Sequence, residues 1–200
     1  MSFMDRIIVL VTLTVLSFSI SCTKKEQGVF TDERDGRIYQ TIEIDGQIWM
    51  AENLAFETDS SWCYDDDLND CDKNGRLYTW YDACKVCPDG WRLSSDSDWL
   101  ELEKVIGIPE SELLNEKFRG TSQGERLRIG GDLKFNATIS GYRRPNGSYD
   151  RRGQRSAFWL STETSLKSAL HRDIRNDTGA IYRSSVPKFY ALSVRCVKQK

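Results

Sequence analysis

A single histidine, His171, serves the whole 200-residue chain. One imidazole without a Gly-x-Ser-x-Gly elbow gives no hydrolase signal. Flanked by Arg172 and Asp173, it reads as a surface residue. A glycine-rich phosphate loop of the P-loop or Rossmann kind is also missing, which removes the usual nucleotide-binding reading. No apolar run reaches the roughly 20 residues that a helix needs to cross a bilayer. The net charge is only −2, so the basic excess of a nucleic-acid partner is lacking and none is expected. Neither an internal repeat nor a second-domain linker is visible.

The residues that are present describe one globular domain. The chain is 39% hydrophobic and 29% charged, with six Trp, eight Tyr and eight Phe, enough to bury a core. At the start, Arg6 precedes an apolar or small run over residues 7–20, and Ser21-Cys22 follows. That pattern reads as a signal peptide over residues 1–21. Ser19-Ile20-Ser21-Cys22 looks like a loose bacterial lipobox, with Ser19 where Leu is usual. The expectation is a diacylated Cys22 as mature N-terminus and a lipidated tether over residues 22–35. Ordinary secretion with Cys22 trimmed away is the alternative. Lipidation would put the chain in the cell envelope, in the outer membrane and facing away from the cytoplasm, with the membrane engaged through the anchor alone. In such a compartment Cys63, Cys71, Cys84, Cys87 and Cys196 default to disulfides, and their odd number leaves one thiol over.

Two β-prone runs, residues 37–44 and 47–50, flank Asp45-Gly46 and predict a hairpin. An acidic stretch follows over residues 59–74. Leu77, Trp80 and Tyr81 recur at helical spacing and predict a helix over 76–84, stopped by Pro88. A second helix starts at Ser95 with Asp98 three residues on as a capping box. It buries Trp99, Leu102 and Ile106 and ends at Gly107. From about residue 130 onward short strands are expected at 137–142, 157–161, 181–182 and 190–197. The fold class is therefore α+β, two early helices packed on a twisted antiparallel sheet fed by both chain ends, with a long loop region in the second half. Charge is divided unevenly: residues 23–110 hold nine Lys/Arg against 21 Asp/Glu, and residues 111–200 hold 18 against eight. Such asymmetry marks either a polyanion site or two halves that neutralise each other.

Six blocks run in order: Gly46-Gln-Ile-Trp-Met-Ala-Glu-Asn-Leu54; Cys71 with Gly75-Arg-Leu-Tyr-Thr-Trp80; Cys87-Pro-Asp-Gly-Trp-Arg-Leu93; Gly141-Tyr-Arg143 with Asn146-Gly-Ser148; Phe158-Trp-Leu-Ser-Thr-Glu163; and Ser193-Val-Arg-Cys-Val-Lys198. Together they resemble the Fibrobacter succinogenes major paralogous domain over residues 36–198. Leu160, Ser94 and the additional Cys84 are the departures. The resemblance implies a C-type-lectin-like fold on a bacterial lipoprotein and carries no activity with it. It also implies the bridges Cys63–Cys71, closing the acidic hairpin, and Cys87–Cys196, tying the first helix to the last strand. Cys84 is then left unpaired.

The candidate chemistries narrow from there. Cys84-Lys-Val-Cys87 invites a redox reading, but its helix lies before the motif rather than after it, the wrong end for lowering a thiol pKa. A zinc knuckle would need two close cysteine pairs, and Cys63 and Cys71 are too far apart in sequence. Asp70-Cys-Asp-Lys-Asn-Gly75 imitates a calcium loop that has Tyr81 where the bidentate Glu belongs. Arg144-Pro145-Asn146 puts a cation where calcium-dependent lectins place a carboxylate, and Trp-Asn-Asp does not occur. The formylglycine-generating enzymes of the same fold class use a cysteine pair, and only Cys84 is spare. No cofactor, metal or catalytic residue is expected. Trp49, Trp80, Trp91, Trp99 and Trp159 are read as core; Trp62, beside Cys63, is left open as a ligand contact. The candidate ligand face is residues 143–155, with Arg143, Arg144, Tyr149, Arg151, Arg152 and Arg155 offering planar donors around one ring. The competing expectation is that these arginines pair with the acidic segment. The reading is a non-catalytic surface binding domain for an acidic polysaccharide or an envelope protein. An enzyme of the formylglycine-generating type and a purely structural envelope protein are the alternatives.

Overall fold

The computed structural model describes residues 27–199, so Cys22 and the expected leader lie outside the described residues. Eighteen regular elements follow one another. The first part holds β1 (Gln27–Thr31), β2 (Ile38–Ile44), β3 (Gln47–Met50), β4 (Ser61–Trp62), α1 (Leu68–Asn74), β5 (Leu77–Thr79), α2 (Trp80–Ala83) and β6 (Trp91–Leu93). Then come α3 (Asp96–Val105), β7 (Lys117–Arg119), α4 (Gln123–Leu127), β8 (Tyr142–Arg143) and β9 (Tyr149–Asp150). The last part is β10 (Arg155–Ser165), β11 (Ser168–Arg175), β12 (Ile181–Pro187), β13 (Ala191–Ser193) and β14 (Cys196–Lys198). The class is α+β, dominated by sheet.

Where one sheet was expected there are two. The first runs β1-β2-β3-β14-β6, so the last strand lies between strands from the first half and both ends of the described chain meet there. Asp45 and Gly46 turn β2 into β3 with φ of 49° and 75°, as the Asp-Gly signal requires. β1 pairs with β2 from Gln27↔Ile42 to Thr31↔Ile38. Part of the segment read as tether is therefore a strand, and the folded unit includes residues ahead of the expected boundary at 36. The second sheet runs β4-β5-β13-β10-β11-β12-β7, with β8 and β9 attached through β13.

β10 is buried on both faces, which is why Ala157-Phe-Trp-Leu160 reads as an unbroken apolar run. Phe158 and Leu160 enter one core with Trp49, Trp99 and Phe135. Ala157 and Trp159 enter the other with Tyr39, Trp80 and Trp91. Trp49, Trp99 and Phe135 meet edge to face at 5.5–5.7 Å, the arrangement that ring quadrupoles favour. All five tryptophans read as core are buried.

α3 starts as its sequence dictates. The Ser95 hydroxyl accepts from the Asp98 amide, the Asp98 carboxylate accepts from the Ser95 amide at 2.7 Å, and Trp99 and Leu102 are buried. The helix expected over 76–84 is not formed as such. Leu77–Thr79 pairs with Ala191–Ser193, and only Trp80–Ala83 makes a helical turn. Tertiary pairing overrides a short helical period there. Of the strands expected at 137–142 and 190–197, the first is reduced to Tyr142–Arg143 and single bridges, and the second is split into β13 and β14.

Cys63 is bridged to Cys71, and Cys87 to Cys196, with Cα separations of 5.0 and 5.9 Å. Cys84 is the free thiol among the described residues. Cys71 sits within α1, so the short bridge fastens a loop to a helix where a hairpin was expected.

Candidate functional site

The arginine-rich segment is a hairpin attached to the second sheet through β13. Between β8 and β9 the chain turns through Asn146, whose side-chain oxygen accepts from the Ser148 amide at 3.1 Å, and Gly147 at φ +91°. Before it, Gly141 stands at φ +72°, where a Cβ would lie 2.5 Å from the Asp150 carbonyl oxygen and 2.7 Å from the Tyr64 ring. Only glycine lets the hairpin come that close.

Against this hairpin lies the acidic segment. The Tyr149 hydroxyl donates to Asp66 at 2.5 Å, and the two tyrosine rings of 64 and 149 pack at 5.1 Å. Burial pushes the Tyr149 phenol up to about 12, with the Asp66 hydrogen bond and charge adding to it. Asp65, Asp66 and Arg151 all hold positive φ, at 54°, 57° and 65°. Side chains with a Cβ adopt this region only when the surroundings impose it, and such residues gather at recognition sites.

The structure separates the candidate arginines. Arg152 pairs with the buried Asp70, and Arg144 with Asp150. Arg155 binds Asp173 at 2.6 Å, and Arg151 touches Asp150 at 3.6 Å and Gln154 at 2.9 Å. These four are thus held by carboxylates of the fold, Arg152 across to the acidic segment. The Arg144 hydrogen bond, more than any other cause, holds the Asp150 carboxyl below its ordinary value.

Arg143 differs. Its guanidinium lies 4.2 Å from the Trp62 ring centroid and 5.7 Å from that of Tyr149, a cation between two rings. Among the described residues no carboxylate stands within ion-pair distance of it, and its buried Nε has no hydrogen-bond partner. Trp62 is half-buried and takes part in this stack. The site therefore reduces to Trp62, Arg143 and Tyr149: two rings beside one cation that has no carboxylate partner among the described residues. It contains no nucleophile–base pair.

Two other sequence candidates resolve differently. His171 is buried, contrary to the surface reading. It lies on β11 opposite Trp159 and Ser184, with Nε2 3.3 Å from Asp173 Oδ1. The alternation of Ala169, His171 and Asp173 along one strand face is the signal for this. Cys84 caps the C-terminus of α2, and its thiol is pushed up to about 11 by burial first and by the Glu163 charge second. A thiol so raised is protonated at neutral pH and a poor nucleophile.

Sequence reasoning missed Asn53 and Arg195. Arg195 is completely buried, and burial pulls its pKa down to about 9. Its guanidinium donates to Asn53 Oδ1 at 2.7 Å and to the carbonyls of Met50, Phe135 and Asn136 at 3.0, 2.6 and 3.0 Å. An arginine inside Ser-Val-Arg-Cys-Val, an otherwise apolar run, was the available sign.

A family model described as the Fibrobacter succinogenes major domain matches residues 42–198. Comparison with curated proteins and with solved structures gives no match. The chain belongs to the Fibrobacter succinogenes major domain family.

Proposed function

We infer that this family member is a non-catalytic binding domain, held at the cell envelope by a lipid on Cys22, whose ligand is an acidic envelope polysaccharide. The observation that carries the reading is Arg143, the hairpin guanidinium without a carboxylate, presented between Trp62 and Tyr149. A uronate carboxylate or a sulfate group supplies the anionic acceptor it lacks, and an adjoining sugar ring packs on the aromatic edges. The short apolar leader ending in Ser21-Cys22 supports export and anchoring. A C-type-lectin-like fold is supported by β14 lying between β3 and β6, which brings both ends into one sheet. The enzyme alternative draws on a cysteine pair, and with two bridges formed Cys84 is the one free thiol among the described residues.

The purified full-length protein is expected to be retained on acidic polysaccharide at low salt and released as salt screens the charge. Arg143→Ala and Trp62→Ala each lose retention. Equal retention of wild type and both variants, or none on any acidic polymer, sinks the reading.

A further inference from the structure

A second concavity shares no residue with the Trp62 stack. It has a volume of about 340 Å³, with Arg37, Glu52, Asp72 and Lys73 around it and Asn53 and Thr138 among its lining residues. That size is at the low end of the roughly 300–1,000 Å³ typical of small-molecule sites.

Its chemistry is balanced. Two cations face two anions, so neither an anion nor a cation gains net attraction there. Arg37 is already engaged, donating to the Asp72 carbonyl at 2.8 Å and to its carboxylate at 3.4 Å. Glu52 accepts from the Gln40 amide through one oxygen, at 3.1 Å, and has the other to offer. Thr138 Oγ1 accepts from Asn53 Nδ2 at 3.2 Å, which leaves its hydroxyl hydrogen to donate. Ile129, 67% exposed, adds an apolar surface at the lining. Donors and acceptors together with one apolar side chain match a ring that carries hydroxyls on its edge and C–H groups on its face.

The wall is also pre-set. Asn53 is fixed by Arg195 on its oxygen and by the Asn74 carbonyl at 2.8 Å on its nitrogen. Asn136 gives its own carbonyl to Arg195 and stands at φ +53°. Gly75, at φ +75°, lets the chain pass where a Cβ would lie 2.5 Å from Asn53. Polar groups held this way lose little freedom when a ligand arrives.

We propose that this pocket binds one neutral sugar residue, with Thr138 and Glu52 reading its hydroxyls and Ile129 covering its apolar face. The test is titration of the full-length protein with methyl glycosides of neutral hexoses, followed by amide shifts of Ile129, Asn136 and Thr138. The expected result is saturable binding in the millimolar range. Thr138→Val should weaken it about tenfold, the value of one hydrogen bond. That variant leaves Asn53 Nδ2 its Asn74 and Ser193 acceptors, so the fold survives. Ile129→Ser, on an exposed side chain, serves as the second variant and should also weaken binding. Arg143→Ala should leave hexose binding unchanged, which separates this site from the polysaccharide face. No saturable shift with any hexose overturns the proposal. So does stronger binding of glycine or of a uronic acid, full affinity in both pocket variants, or loss of hexose binding in Arg143→Ala.

Discussion

Glu103 and Arg119 face each other end-on, joined by hydrogen bonds of 2.7 and 2.5 Å, with both side chains shut off from solvent. Glu103 also accepts from Arg172 Nε at 2.8 Å, so a helix is tied to β7 and β11 through one carboxylate. Removing one partner of such a group leaves buried charge unmatched, at a cost of about 3–5 kcal/mol. Glu103→Gln is expected to destabilise by that amount in urea unfolding. A change below about 1 kcal/mol, the scale of an exposed pair, would show that the cluster carries no such role.

Arg152 and Arg143 should separate stability from binding. Arg152→Glu places a second negative charge on the buried Asp70, so the melting temperature should fall clearly. Arg143→Ala should abolish polysaccharide retention and lower the melting temperature less than Arg152→Glu does, since it loses ring contacts but leaves no buried carboxylate unpaired. The reverse pattern in thermal melts and retention assays would remove Arg143 from the ligand face.

The two bridges close loops of very different length, with sequence separations of 8 and 109. Chain entropy makes the long one worth on the order of 4–5 kcal/mol and the short one about 2–3. Cys87→Ser with Cys196→Ser should therefore shift the denaturant midpoint more than Cys63→Ser with Cys71→Ser. Equal shifts would mean that local packing outweighs loop closure.

Alkaline pH should destabilise the fold. Burial pushes Tyr39 to about 12 and Tyr78 well above the ordinary tyrosine value. These groups stay protonated in the folded chain where the unfolded chain has released its protons, so their contribution is complete below about pH 9 and fades as pH rises toward 12. Arg195 acts with the opposite sign, because a lowered pKa makes folding more favourable as pH rises. Tyr149, also raised to about 12, acts with Tyr39 and Tyr78, and together they give a net decline against Arg195, to be read from urea unfolding at stepped pH. Tyr39→Phe should flatten the curve. Stability that holds or rises through this range contradicts the assignment.

Lipidation is tested in cells with an alkyne fatty acid. Wild type should be labelled and Cys22→Ala should not; equal labelling of both removes the anchor.

Local signals made parts of this protein legible. Asp45-Gly46 set the hairpin of β2 and β3, and Ser95 with Asp98 set the start of α3, because a turn or a cap is decided within four residues. The tryptophan blocks marked the core, since rings of that size leave water wherever they can. The candidate hairpin was located as a segment with Arg143 among its candidates, but nothing in the sequence set that residue apart from the other arginines. Five arginines look alike in sequence, and only the fold shows that four meet carboxylates, two of those also lying over rings, while Arg143 meets rings alone. Leu77 kept a helical spacing yet became strand, because β13, more than 100 residues later, offers it a ladder. Glu103, His171 and Arg195 carry polar side chains that are buried, although the sequence reading placed His171 at the surface and singled out neither of the others. Each is buried because a partner from a distant strand or loop arrives to satisfy or shield it, and that meeting is decided only when the sheets close.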